Sequence, residues 1–122
     1  MNDRELLELA ARAAGIKARW FRVNQWRQVG GHKMQTGQED VFGTHHSKPW
    51  NPLTDDGDAL RLAVKRGLVV TPDRENQRTL VSNQAGHEYC AIYWDKLGEM
   101  AATRLAITEA AADIGKSMGG GE

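Results

Sequence analysis

The chain has a single cysteine, Cys90, so no internal disulfide can form. That fits a reducing compartment. Positive and negative side chains balance to a formal net charge of zero. No global field therefore draws in nucleic acid or an anionic membrane. No stretch approaches the ~18 consecutive apolar residues of a membrane span. The opening MNDRELLELAARAAG has acids among its first residues and no separate apolar region, unlike a signal peptide. These absences predict a cytoplasmic protein without membrane contact. Catalytic signatures are missing as well. There is no G-x-S-x-G, no Gly-rich phosphate loop ending in Lys-Ser/Thr, and no H-E-x-x-H. The expectation is a non-enzymatic chain, with no catalytic residues and no cofactor.

What is present suffices for one ordinary domain, since 122 residues with 40% hydrophobic content can build a modest core. Asn2 or Asp3 can cap a first helix, and Leu6, Leu9, Ala10 and Ala13 fall on one apolar stripe. Gly15 ends it, with Ile16 placed to fold back. A central helix is expected over 55–66. Pro52 holds Asn51 extended, Thr54 or Asp55 caps, and Asp56 and Asp58 favour the positive helix end. Leu60, Ala63 and Val64 form its expected buried face, with Leu68 just past Gly67. Trp50 and Pro52 read as the pin where the preceding segment rejoins the scaffold.

LVVTPD (68–73) and RTLVSN (78–83) read as two strands of a hairpin joined by the polar turn 74–77. EYCAIYWD (88–95) alternates with apolar residues on both faces, which predicts helices over both sides. Asp95 can cap a last helix over 97–118, with Met100, Thr103, Ile107, Ala110 and Ile114 as its stripe. The glycines from Gly119 open a flexible tail over 119–122. The expected class is α+β, a small antiparallel sheet of about three strands packed with three amphipathic helices as an αβα layered sandwich. Residues 1–118 form the single domain.

Between residues 17 and 49 the periodicity breaks down. ARWFRV (18–23) has strand-like composition, and VFGTHH (41–46) suits a short strand. The segment reads as an irregular insert: a functional loop, a mobile insert, or an unrecognised pair of strands.

Few residues gather chemistry. Asp55, Asp56 and Asp58 offer oxygens to a divalent cation, but the calcium-loop spacing is absent and helix capping explains them. Three carboxylates there also repel phosphate from the helix terminus. His45 and His46 are adjacent, His32 and His87 are distant, and none has zinc-ligand spacing. Cys90 lies mid-strand in apolar surroundings, as a buried, inert thiol does. No metal site is expected.

The insert is locally basic. From Lys17 to Lys48 six Lys/Arg oppose Glu39 and Asp40, which gives 6 − 2 = +4. Arg19, Trp20, Arg22, Trp26, Arg27 and Lys33 together suit stacking on bases and neutralising phosphates. The alternative is a half-buried strand with core tryptophans and snorkelling arginines. The helix–three strands–helix order from residue 55 also has the topology of a double-stranded-RNA-binding domain. Its last helix, however, offers only Lys96 and Arg104 near its start, beside Asp95 and Glu99.

Three blocks carry a family resemblance: ELLELAARAAG (5–15), WNPLTDDGDALRLAVKRGL (50–68) and AATRLAITEAAADIG (101–115). In this order they resemble the phage and prophage proteins with the phage ABA sandwich domain. They cover roughly half the chain. The resemblance implies an αβα layered domain encoded by a phage or prophage, and no activity or catalytic residues. Residues 17–49 match it least. The function expected is a binding module acting on a host or phage protein. The second reading is nucleic-acid binding through the basic, aromatic segment 17–33, and the third is binding of a small nucleotide.

Overall fold

The computed structural model describes residues 1–44 and 48–119. His45, His46 and the glycines at 120 and 121 lie outside them.

Helix α1 (Asp3–Ala14) begins where the Asn2 side chain accepts the Glu5 backbone N–H at 2.9 Å. It ends at Gly15, whose φ of 69° suits a residue without Cβ, and Ile16 N–H then donates back to the Ala11 carbonyl. The expected stripe is only half of its buried surface. Leu6, Ala10 and Ala13 are buried, with Leu6 beside Ala112 and Asp113 of the last helix, while Leu7, Ala11 and Ala14 form a second buried stripe.

That second stripe is covered by the segment expected to be irregular. Of the three alternatives for it, the structure takes the pair of strands: residues 18–44 form a long antiparallel hairpin of β1 (Ala18–Val29) and β2 (His32–Thr44), with β3 (Lys48–Pro49) pairing briefly on β2. Gly30 and Gly31 both have positive φ, 54° and 83°, as a two-residue hairpin turn requires. The register shifts beside Trp26, and Thr36 is the extra residue on β2. At the root, Trp20 stacks on Phe42 at 4.9 Å, and Phe42 meets Trp50 edge-on at 6.1 Å. The Trp50 N–H donates to the Phe42 carbonyl at 2.8 Å. Trp50 is thus the pin expected, buried where the hairpin rejoins the helices.

Helix α2 (Asp56–Arg66) is capped by Asp55, which accepts the Asp58 N–H at 2.7 Å, and closed by Gly67. Its phase differs from expectation. Ala59, Leu62 and Ala63 are buried, whereas Leu60 is 64% and Val64 72% exposed. Small side chains at 59 and 63 let the helix lie close to its neighbours.

The second sheet pairs β4 (Val69–Asp73), β5 (Arg78–Ser82) and β6 (Glu88–Tyr93) antiparallel in that order. Helix α3 (Glu99–Gly119) packs on one of its faces and also lies along α1 and α2. It starts at Glu99, two residues beyond the expected start at Leu97, so Asp95 is not its cap, and it runs to Gly119, the last described residue of the expected tail. Ala106, Ile107, Ala110 and Ala111 are buried as expected, but Met100 is exposed. Against the opposite sheet face, with Thr71, Leu80 and Ala91 in register, no helix of the described residues packs. The expectation of helices on both sides of β6 therefore fails. The class is α+β, with three helices and two small antiparallel sheets in place of one. No helix of the described residues is long and apolar enough to cross a membrane.

Candidate interaction surface

The hairpin leaves the body just beyond its aromatic root. From Arg22 to Val29 every residue of β1 is exposed, and between His32 and Asp40 only Gly37 is not. Eight residues at ~3.4 Å each make an arm of about 27 Å. A two-stranded ribbon without a supporting layer is marginally stable alone. Its backbone edges also present unpaired N–H and C=O groups.

The register sorts the arm into two faces. Val23, Arg27 and Val29 lie on the face of Met34, which continues from Phe21 and Val41 at the root. Val23, Val29 and Met34 are 37%, 45% and 53% exposed, and they stand on this face among Gln25, Arg27, His32 and Glu39. The other face is polar. Arg22, Asn24, Trp26 and Gln28 stand opposite Asp40, Gln38, Gln35 and Lys33. Asn24 accepts from both Gln35 and Gln38, at 3.1 and 2.8 Å, which fixes the amides around exposed Trp26.

The six residues read as a basic, aromatic set are therefore divided. Arg22, Trp26 and Lys33 share the polar face, while Arg19 and Arg27 lie on the other. Trp20 belongs to the root and is no stacking platform. Its ring is held between Phe42 and the Arg4 guanidinium, 3.9 Å from the ring centre, and its indole N–H is buried without a partner among the described residues. Arg22 lies 3.5 Å from Asp40, which also meets Arg4 at 3.4 Å.

Comparison with family models, curated proteins and solved structures finds no match.

Each carboxylate of the acidic turn has a protein partner. Asp55 caps α2; Asp58 accepts the Asn51 N–H at 3.0 Å and Arg61 at 2.8 Å; Asp56 receives Arg104 at 2.7 Å. The described residues hold no group of three or more His, Cys, Asp or Glu side chains that could bind a metal. His87 packs edge-on against Tyr89, and His32 sits at the arm tip. Cys90 is half-buried beneath α3, with its thiol 3.3 Å from the Ala106 carbonyl. Burial, reinforced by the charges of Glu109, Glu88 and Asp113, pushes its pKa up to about 12. A thiol so protonated is a poor nucleophile. Burial likewise raises the Glu109 carboxyl above its ordinary value. Arg104, a cation in the double-stranded-RNA comparison, is spent on Asp56 and on the Leu53 carbonyl.

One concavity had no counterpart in the sequence reading. A cleft of about 400 Å³ opens between the end of α1, β3 and α2, with Ile16, Trp50 and Leu62 in its floor and Lys48, Arg61 and Lys65 on its rim. Four separated stretches build it. The only local signal is the spacing of Asp58, Arg61, Leu62 and Lys65 along one face of α2.

Proposed function

We propose that this protein is a non-enzymatic binding module that grips a protein partner with the hairpin arm of residues 22–39. The observation that carries this reading is the exposure of Val23, Val29 and Met34 on one face of a ribbon with open edges. An extended partner segment can add to such an edge, with main-chain hydrogen bonds for affinity and the apolar side chains for specificity. The resemblance of the three sequence blocks to phage ABA sandwich proteins supports a phage or prophage accessory role in a bacterial cytoplasm, with a host or phage protein as partner.

A second reading is favoured by the opposite face. Arg22, Asn24, Trp26, Gln28 and Lys33 form a polar, cationic surface on a two-stranded ribbon, and such a ribbon fits the DNA major groove. Such binding weakens steeply with salt.

Photo-crosslinking in bacterial cells separates the two. A photoreactive residue at Met34 yields discrete protein adducts, while one at Glu75, on the distant β4–β5 turn, yields none. Nucleic-acid adducts, formed instead from position 26, would transfer the function to the polar face. An arm that forms no adduct above the Glu75 background would refute both.

A further inference from the structure

We infer that the cleft between α1, β3 and α2 binds a small amphipathic organic anion. Its volume of about 400 Å³ lies in the range of small-molecule sites. The floor is apolar and fixed. Trp50 and Leu62 are 6% and 2% exposed, and both belong to the core. The rim is cationic. Of its three cations, Arg61 is held by Asp58 at 2.8 Å and by Asp55 at 3.8 Å. The second oxygen of Asp58 accepts the Asn51 N–H, so the carboxylate in the wall is already satisfied. Lys48 and Lys65 have no acidic partner among the described residues.

The charges are also separated along the wall. Lys65 follows Asp58 by seven residues, which is about 10 Å along the helix. The uncompensated positive charge therefore sits away from the acidic turn. A ligand that matches has an apolar body to lie on Ile16 and Pro49, above the nearly covered Trp50 and Leu62. It also has a carboxylate, sulfonate or phosphate head for the lysines. A neutral molecule forfeits the head, and an inorganic anion forfeits the floor. This site does not depend on the arm.

The test uses the folded full chain and two dyes. 8-Anilinonaphthalene-1-sulfonate carries an anionic head, and N-phenyl-1-naphthylamine is its uncharged relative. The sulfonate is expected to bind saturably with one equivalent, and the neutral dye about tenfold more weakly or worse, a difference of about 1.4 kcal/mol. A Lys48→Gln/Lys65→Gln variant with unchanged circular dichroism should lose about the same factor for the sulfonate alone. A Lys116→Gln variant, altered on α3 outside the cleft, should bind as the parent does. Added salt should weaken the sulfonate and leave the neutral dye unaffected, which tests the charge without any substitution. Absence of saturable binding, equal binding of the two dyes, or an undiminished double variant would each overturn the assignment.

Discussion

Arg104 Nη1 lies 2.7 Å from Asp56 Oδ1, and Nε of the same guanidinium donates to the Leu53 carbonyl at 2.9 Å. One side chain of α3 thereby holds both the first turn of α2 and the loop that leads into it. Arg104 is 20% exposed and Asp56 65%. The ion pair alone contributes little at such an exposed carboxylate, and the hydrogen bond to the Leu53 carbonyl contributes the larger share. Arg104→Ala should therefore cost about 1–3 kcal/mol in urea denaturation. Asp56→Asn should cost less than about 1 kcal/mol. Equal losses from both would move the weight onto the ion pair.

The buried threonine at the sheet–α3 contact gives a second prediction. Trp94 Nε1 donates to Thr79 Oγ1 at 2.9 Å, Thr79 and Thr103 hydroxyls lie 2.6 Å apart, and Thr103 reaches the Glu99 carbonyl at 2.7 Å. Thr103 spends its single hydroxyl hydrogen on the Glu99 carbonyl, so Thr79 must be the donor in the Thr79–Thr103 pair. Thr79→Val leaves the indole N–H unpaired and should cost about 1–3 kcal/mol. Thr79→Ser keeps the hydroxyl and should recover most of that loss. A valine variant with unchanged urea midpoint would show that the chain of donors carries no stability.

The phase of α2 distinguishes Leu62 from Leu60. Leu62 is 2% exposed and Leu60 64%. Leu62→Ala should cost about 2–5 kcal/mol. Leu60→Ala should stay within about 0.5 kcal/mol. The reverse ranking in denaturation midpoints would place the other face in the core.

That helix also shows how far the sequence could be read. Its cap at Asp55 and its end at Gly67 were legible, because capping is local chemistry. Its phase was not, since 59, 62 and 63 fit the helical period as well as 60, 63 and 64. Close packing chose the alanines. The three-strand sheet was legible from its turns and alternation. The arm was not, because both its faces meet solvent and the apolar–polar alternation of a half-buried strand never develops. The bulge at Thr36 also breaks the period, although Gly30-Gly31 was a usable turn signal. Trp50 was legible as a pin. The cleft it floors needs α1, β3 and α2 brought together, and no local pattern reports that.

Gly115 sets the approach of α3 to α1. A methyl group built there would collide with the Leu9 carbonyl, and Arg12 Nη1 lies 3.4 Å from the Gly115 carbonyl at the same crossing. The obstacle is backbone, so no side chain can swing aside. Gly115→Ala should cost about 1–3 kcal/mol despite the better helix propensity of alanine. A raised melting temperature would show that the two helices have room to separate.

Cys90 gives a pH-dependent expectation. Its thiol is raised from 9.0 to about 12, chiefly by burial. Between those values the unfolded chain releases the thiol proton while the native chain keeps it. The native state then binds more protons, so this group's contribution to stability is intact below pH 9 and is lost as pH rises toward 12. Two measurements check it. Alkylation by iodoacetamide at mildly alkaline pH should be more than about tenfold slower in the native protein than in urea. Cys90→Ala should flatten the alkaline fall in stability relative to the parent. A native thiol that alkylates as fast as the unfolded one would place it in contact with water and remove the basis for calling it inert.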